Sequence, residues 1–384
     1  TGSIGLPDRW LTGPAPAPAS ASASARHAMG EPRPRLLRLP EAELAAFVTG
    51  LAQAGGVDPA QRESLTEVLL WNDAAGRRNH GIERLPVLLA RVADGVIRCP
   101  AEMAFEALGP SLARLDAGDG LGQHAGRLAT DRAVELARAQ GIGAVGVKRS
   151  AFYGTGAYFA DRAARAGMVS LVLSNSFPKV AAPGGIAPAL GTNPVAFGAP
   201  RPGGPPLLVD FSTAALAGST LRDAQQDGRA LPPGVAIDGD GQPVTSAESA
   251  RAATLLPAAG AKGFGLALMV EVLAGVLTGA GIGPGVGSLY EGGRPGNSGH
   301  FILALDPARF LAADALAERM AELADAVHAS APPGAVRLPG AARARETAES
   351  ARHGIGIAPG TWAALGALAE RLGVARPPLP APAE

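Results

Sequence analysis

The sequence predicts an α/β fold of helices laid on a sheet, and three observations carry that prediction. Aromatic residues make up only 4% of a chain that is 47% hydrophobic, so the core must pack Leu, Val and Ala. One long segment, Gln123 to Gln140, places Ala125, Leu128, Ala129, Ala133, Leu136 and Ala137 on a single helical stripe. Short apolar runs bounded by Gly, Pro, Ser or Asn then follow at intervals, as strands do.

The 384 residues suffice for two intimately joined lobes. Residues 1–34 hold Pro14-Ala15-Pro16-Ala17-Pro18 and an Ala/Ser run, too little apolar surface to offset chain entropy, so disorder is expected. They show no basic start followed by an apolar stretch, hence no secretion signal, and Met29 is a candidate true start. Leu39-Pro40 followed by Glu41 and Glu43 opens a helix with acids in its first turn. Helical periodicity continues over 64–73 and 82–93, and Gly141 stands as the C′ residue of the helix over 123–140. Strands are read at 144–147, 169–173, 195–199, 207–211 and 301–305, with a helix over 156–166 and Thr155 as its cap. The segment 264–280 is apolar on all faces; a Glu271 at its middle would cost about 2.5–3.5 kcal/mol in a bilayer, so a buried core helix is expected. The Pro-rich residues 377–384 read as a loose tail.

Formal net charge is zero, which gives no global attraction for nucleic acid or anionic membranes. The single Cys99 excludes an internal disulfide and a Cys-based zinc site, no metal is expected, and a reducing cytoplasm is the natural compartment.

Gly141-Ile142-Gly143-Ala144-Val145-Gly146 matches a dinucleotide fingerprint in letters only. The fingerprint works when a strand precedes it and a helix N-terminus follows; here a helix precedes and a strand follows, so the fold is not a Rossmann fold. Other segments have better chemistry. Asn79-His80-Gly81-Ile82-Glu83-Arg84 sets an imidazole and a guanidinium four residues apart, on one face if helical, a proton donor beside a carboxylate fork. The alternative is a helix-end His and a surface Arg pair. The loop 115–123 offers backbone amides to a ligand or is a plain connection. Three further junctions are rich in backbone donors: Ser150 to Gly156 after Lys148, Ser174 to Lys179, and Gly191-Thr192-Asn193-Pro194. Lys262-Gly263-Phe264-Gly265 opens the apolar helix, where dipole and ammonium both favour an anion. Together they suggest a phosphate-bearing ligand; singly, each also reads as close packing of small residues. The three lysines of the chain, Lys148, Lys179 and Lys262, all fall at these junctions.

His80-Gly81-Ile82-x-Arg84-Leu85-Pro86, Gly120-Leu121-Gly122-Gln123, Leu190 to Phe197, Lys262 to Glu271, Gly299-His300-Phe301 and Asp306 to Phe310 together resemble the type 2 malate/L-lactate dehydrogenase family, over residues 36–376. The resemblance implies a non-Rossmann malate/L-lactate dehydrogenase-like fold with a mixed sheet and flanking helices, a homodimer, and NAD or NADP as cofactor. It implies hydride exchange with a small 2-oxo or 2-hydroxy acid or a cyclic imine carboxylate. By position Ser176, Asp210, Phe211, Ser212, Lys262 and Gly263 line the cofactor, joined by Thr192 and Asn193 of the Gly-rich wall. Arg84, Asn79 and Phe152 face the substrate, Arg84 as carboxylate anchor. Residues 35–118 with 310–376 form a helical lobe at the dimer and substrate side, and 119–309 the cofactor lobe.

The departures lie on the substrate side. The family usually reads Ser-Asn-His-Phe-Gly where this chain has Ser150-Ala151-Phe152-Tyr153-Gly154, so the proton-exchanging His is Phe152. Its usual Ser, Tyr and Lys are Asn79, Leu88 and Thr220. A different proton donor is then required, His80 or Tyr153, with His80 favoured because its ordinary pKa is near neutrality. An already protonated imine would need no donor. A non-redox reaction (elimination, isomerisation or cyclisation) or a binding role on the same scaffold are the alternatives. His124 is a further acid/base candidate, or a solvent-facing helix residue.

Overall fold

The computed structural model describes residues 36–378 apart from 219, 222, 223 and 225–227. The expected disorder over 1–34, the start at Met29 and most of the tail lie outside the described residues.

Seven strands form the main sheet: β2 (Ala104–Gly109), β3 (Leu112–Asp116), β4 (Ile142–Ser150), β5 (Val169–Ser174), β8 (Val195–Ala199), β9 (Leu207–Phe211) and β12 (Ser298–Leu305). Their order is β2-β3-β4-β12-β5-β8-β9. Only β3 and β4 run parallel, so the sheet is mixed. The hairpin β2–β3, which sequence reading groups with the helical lobe, adds two strands to this sheet. A small sheet joins β6 (Val180–Ala181), β7 (Pro188–Leu190), β10 (Ala236–Ile237) and β11 (Thr254–Leu255), and β1 (Leu37–Leu39) pairs with β13 (Ile355–Ile357).

Alternation along the strands decides which helices cover which face. Val172 of β5 and Ile302 and Ala304 of β12 point to α4 (Gly122–Gln140) and α5 (Gly156–Arg165), where Ala125, Ala129 and Ala133 meet them. Leu171, Leu173 and Phe301 point the other way, toward Val270 and Ala274. The second large core joins α1 (Glu41–Ala54), α2 (Pro59–Ala74), α3 (Leu85–Ala93) and the C-terminal helix Pro359–Leu372 around Leu44, Leu51, Leu65, Leu69 and Trp362. Gly141 ends α4 in the left-handed conformation (φ 87°) and β4 begins at once, so no helix N-terminus faces the Gly-x-Gly run.

Three local expectations are corrected. The apolar segment is a helix over Ala261–Val270 followed by a π turn over Glu271–Val276. It is not buried on all faces: Leu266, Leu268, Met269, Val272, Val276 and Leu277 are exposed. One side covers the sheet and the other is open, which composition alone does not separate. Residues 82–93 are not one helix but a 3-10 turn, Ile82–Arg84, leading into α3. Thr155 is the N-cap residue of α5, as expected, but its hydroxyl makes no cap hydrogen bond and donates instead to Asn72 Oδ1 at 2.7 Å. No helix among the described residues is long and apolar enough to cross a membrane.

Candidate active site

Asn79, His80 and Arg84 are brought together by two 3-10 turns rather than by one helical face. Gly81 separates them with an extended ψ of −147°. A Cβ at Gly81 would overlap the carboxyl group of Asp73, which accepts the Ile82 N–H at 2.7 Å. The His80-bearing turn is therefore seated on a buried acid. Burial pushes the Asp73 pKa up to about 8, against the opposing effects of the Ile82 N–H and Arg78.

Arg84 is buried. Its Nε donates to Asn79 O (2.6 Å), one terminal nitrogen to the Tyr290 hydroxyl (2.8 Å), and the other lies 3.3 Å from Glu83. The loop carrying Tyr290 is pinned by the buried Arg91, which donates to the carbonyls of Glu291 and Arg294. Tyr290 lies 206 positions from Arg84, so no local pattern reveals the pair. His80 has Asn79 Oδ1 at 3.0 Å from its Nδ1, and its ring stacks on Phe152 with centroids 5.9 Å apart.

Tyr153 goes elsewhere. It is 4% exposed, stacked between Phe159 and His300, with its hydroxyl enclosed, and burial drives its pKa far above the usual phenol range. It faces the sheet core rather than the His80–Phe152 pair. His300 is fully buried, with Ser174 Oγ 2.8 Å from Nδ1 and Ser150 Oγ 2.9 Å from Nε2, and desolvation pulls its pKa down to about 3. It stays neutral and ties β4, β12 and β5 together. His124 is not solvent-facing: it is half-buried, with Ser64 Oγ at 2.8 Å from Nδ1. Its pKa is lowered chiefly by burial, then by Arg127. In the loop 115–123, Asp116 and Asp119 are ion-paired with Lys148 and Arg149.

The residues expected to line the cofactor converge in a second cluster. Ser176 Oγ accepts the Thr192 N–H at 3.0 Å, and Ser176 N–H donates to Asn193 Oδ1 at 3.1 Å. The hydroxyls of Ser212 and Thr213 both donate to Thr192 O. Ala258 N–H donates to Thr213 O at 2.9 Å, which sets the start of the Ala261–Val270 helix beside them, with Lys262 exposed in its first turn. Gly191 is required: a Cβ there would overlap the Ser176 carbonyl and hydroxyl. Gly263 similarly abuts Ala258 O. Small residues, half-buried hydroxyl-bearing loops, a helix N-terminus and an ammonium group make a cradle that fits the phosphates of a dinucleotide. Asp210 is placed differently from its neighbours. Its carboxylate pairs with Arg343 at 2.8 Å, with the two side chains only 12% and 9% exposed, so it braces β9 against the helix Ala341–His353. Phe211 beside it is exposed.

The family profile described as malate/L-lactate dehydrogenase matches residues 39–366. The (2R)-3-sulfolactate dehydrogenase (NADP(+)) of Chromohalobacter salexigens is 37% identical, with 82% of this chain and 94% of the relative covered. The ureidoglycolate dehydrogenase (NAD(+)) of Escherichia coli K12 is 33% identical, with 73% and 80% covered. Among solved structures, the Δ1-piperideine-2-carboxylate reductase of Pseudomonas syringae superposes with a TM-score of 0.80 at 32% identity, covering 86% of this chain and 99% of that one.

Proposed function

Because the chain belongs to the malate/L-lactate dehydrogenase family, we propose that it is an NAD(P)-dependent oxidoreductase in which His80 handles the substrate proton. Its substrate is a small 2-oxo or 2-hydroxy acid or a cyclic imine carboxylate, the chemistry that the relatives' names share. The observation that carries this reading is the stacking of the His80 imidazole on Phe152, one turn from Arg84. An imidazole thus stands beside the position where the usual one has become a phenyl ring.

When bound, the nicotinamide supplies or accepts the hydride. Ser176, Thr192, Asn193, Phe211, Ser212, Lys262 and Gly263 hold the dinucleotide, the ammonium of Lys262 and the adjacent helix N-terminus taking phosphate charge. Asp210 holds the Phe211–Ser212 strand end in place through Arg343. Arg84 fixes the substrate carboxylate, helped by Asn79 holding its Nε side. In reduction a C–H bond forms at the carbonyl carbon, the π pair moves to oxygen, and the oxygen takes the His80 proton; oxidation runs in reverse. An iminium substrate takes hydride without that proton. Tyr153, enclosed in the core, is not assigned a proton-transfer role.

We assign substrate binding to residues 35–118 with 310–376, whose hairpin β2–β3 extends the main sheet, and cofactor binding to 119–309. The exposed apolar side of the Ala261–Val276 segment supports a homodimer, and the lone thiol Cys99 suits the cytoplasm. The test uses the purified chain with NADPH or NADH and a panel of 2-oxo acids and cyclic imine carboxylates, followed by loss of reduced-cofactor absorbance. Conversion of at least one substrate is expected. Tight cofactor binding without turnover across the panel overturns the redox reading in favour of non-redox chemistry.

A further inference from the structure

The Glu271 carboxyl group lies on the inner side of the Ala261–Val276 segment, 5% exposed, at the residue where the α-helix becomes a π turn. Such turns re-aim a side chain that a regular helix would place elsewhere. Both its oxygens accept. Oε1 takes the Gly283 N–H at 2.7 Å and the Asn175 amide at 3.3 Å, and Oε2 takes the Asn193 amide at 2.6 Å. Asn175 and Asn193 are the residues next to and within the two loops that present Ser176 and Thr192. Each amide is used at both ends: Asn175 accepts the Gly299 N–H and donates to Gly281 O, while Asn193 accepts the Ser176 N–H and donates to Ala267 O. Asn193 also holds a positive φ of 30°, a conformation that Asn tolerates better than most residues but that needs outside support.

We propose that Glu271 is the positioning residue of the cofactor site: one acid clamps the Ser174–Ser176 and Gly191–Asn193 loops to the helix whose N-terminus carries Lys262. This rests on the cofactor reading above. It assigns a function to the one acidic residue in an otherwise apolar segment, and explains why that segment cannot be apolar throughout. A clamp of this kind acts on the spacing between two hydroxyl-bearing loops and an ammonium group, so its loss weakens dinucleotide binding before it weakens the chemical step.

The test measures binding directly, by titrating full-length protein with NADPH and with NADH and following the fluorescence of the bound cofactor, with thermal melting alongside. Glu271→Gln turns an accepting oxygen into an N–H2 facing the Asn193 amide, and Asn193→Asp turns that donor into an acceptor. Each is expected to weaken binding by at least about ten-fold, the scale of one lost hydrogen bond to a charged group. The double variant restores the donor–acceptor pair across this contact with reversed polarity, leaving only Ala267 O without its donor, and is expected to bind more tightly than Asn193→Asp or Glu271→Gln alone. Folded single variants that bind within two-fold of the native chain, or a double variant no better than the singles, overturn the proposal. If Glu271→Gln does not fold, Asn193→Ser gives the same reading, with the same ten-fold expectation and two-fold limit. A native chain that binds neither cofactor defeats the functional reading instead, which separates the two failures.

Discussion

His80 and Phe152 lie face to face, ring centroids 5.9 Å apart and planes inclined by 21°. A half-buried phenyl wall excludes water from one face of the His80 imidazole and fixes its ring plane. His80→Ala is therefore expected to lower kcat by about 10²–10⁴-fold, the usual worth of general acid–base help. Cofactor dissociation constants, measured by the same fluorescence titration, should stay within about three-fold, since the cofactor cluster contains no atom of this turn. An iminium substrate, if one is turned over, should be nearly indifferent to the change. Equal losses with a ketone substrate and an iminium substrate would remove His80 from the proton path.

The acid under that turn gives a stability signature. Asp73 is protonated in the folded chain until about pH 8 but ionises near its ordinary pKa of about 4 when unfolded. Its favourable contribution is thus complete below the unfolded pKa and is lost as pH rises toward the folded one, by about 1.4 kcal/mol for each pH unit between the two. Asp73→Asn keeps the acceptor for the Ile82 N–H and removes the titration. Melting temperatures taken from about pH 5 to about pH 9 should show the variant gaining on the native chain as pH rises. Parallel curves would mean that Asp73 does not change protonation on folding.

Much of this arrangement is written locally and some of it is not. Strand ends at 195–199 and 207–211 and the stop at Gly141 follow from turn residues and periodicity, and the structure has them at those positions. The inverted helix–strand order around Gly141 removes the Rossmann reading on topology alone. What escapes is long-range: the pairing of the hairpin β2–β3 with β4, the outer strand β2 being exposed throughout and showing no core-facing alternation, and the pairs Arg84–Tyr290 and Asp210–Arg343. Tyr153 illustrates the same limit. Its position after the strand matches a site loop, and only the stacking on His300 shows that it turns into the core. Glu271 was legible as an anomaly in an apolar segment, but its partners 96 and 78 residues earlier were not.

The Asp210–Arg343 pair makes a separate prediction. With both side chains about nine-tenths buried, removal of one leaves the other's charge uncompensated, at about 3–5 kcal/mol. Arg343→Met should lower the denaturant midpoint accordingly, and the double variant with Asp210→Leu should recover much of that loss. The cofactor titration should also weaken in Arg343→Met, because Phe211 and Ser212 follow Asp210 directly at the strand end. A loss of stability with unchanged binding would confine the pair to a bracing role distant from the site.

The open side of the Ala261–Val276 segment supplies the last test. Val272, Val276 and Leu277 are 52%, 58% and 61% exposed, and Leu266, Leu268 and Met269 continue the same apolar surface. A soluble monomer rarely leaves so many large aliphatic side chains of one helix in water. In a two-fold homodimer each copy would cover the other's helix, burying like against like. Val276→Glu puts a carboxylate at the centre of that contact, where two copies would meet as like charges without water. Light scattering after size-exclusion chromatography is expected to give the mass of two chains for the native protein and of one for the variant. Because Glu271 and Lys262 lie on this same segment, freeing it from a partner should also loosen cofactor binding. A variant that stays dimeric would place the interface on another surface.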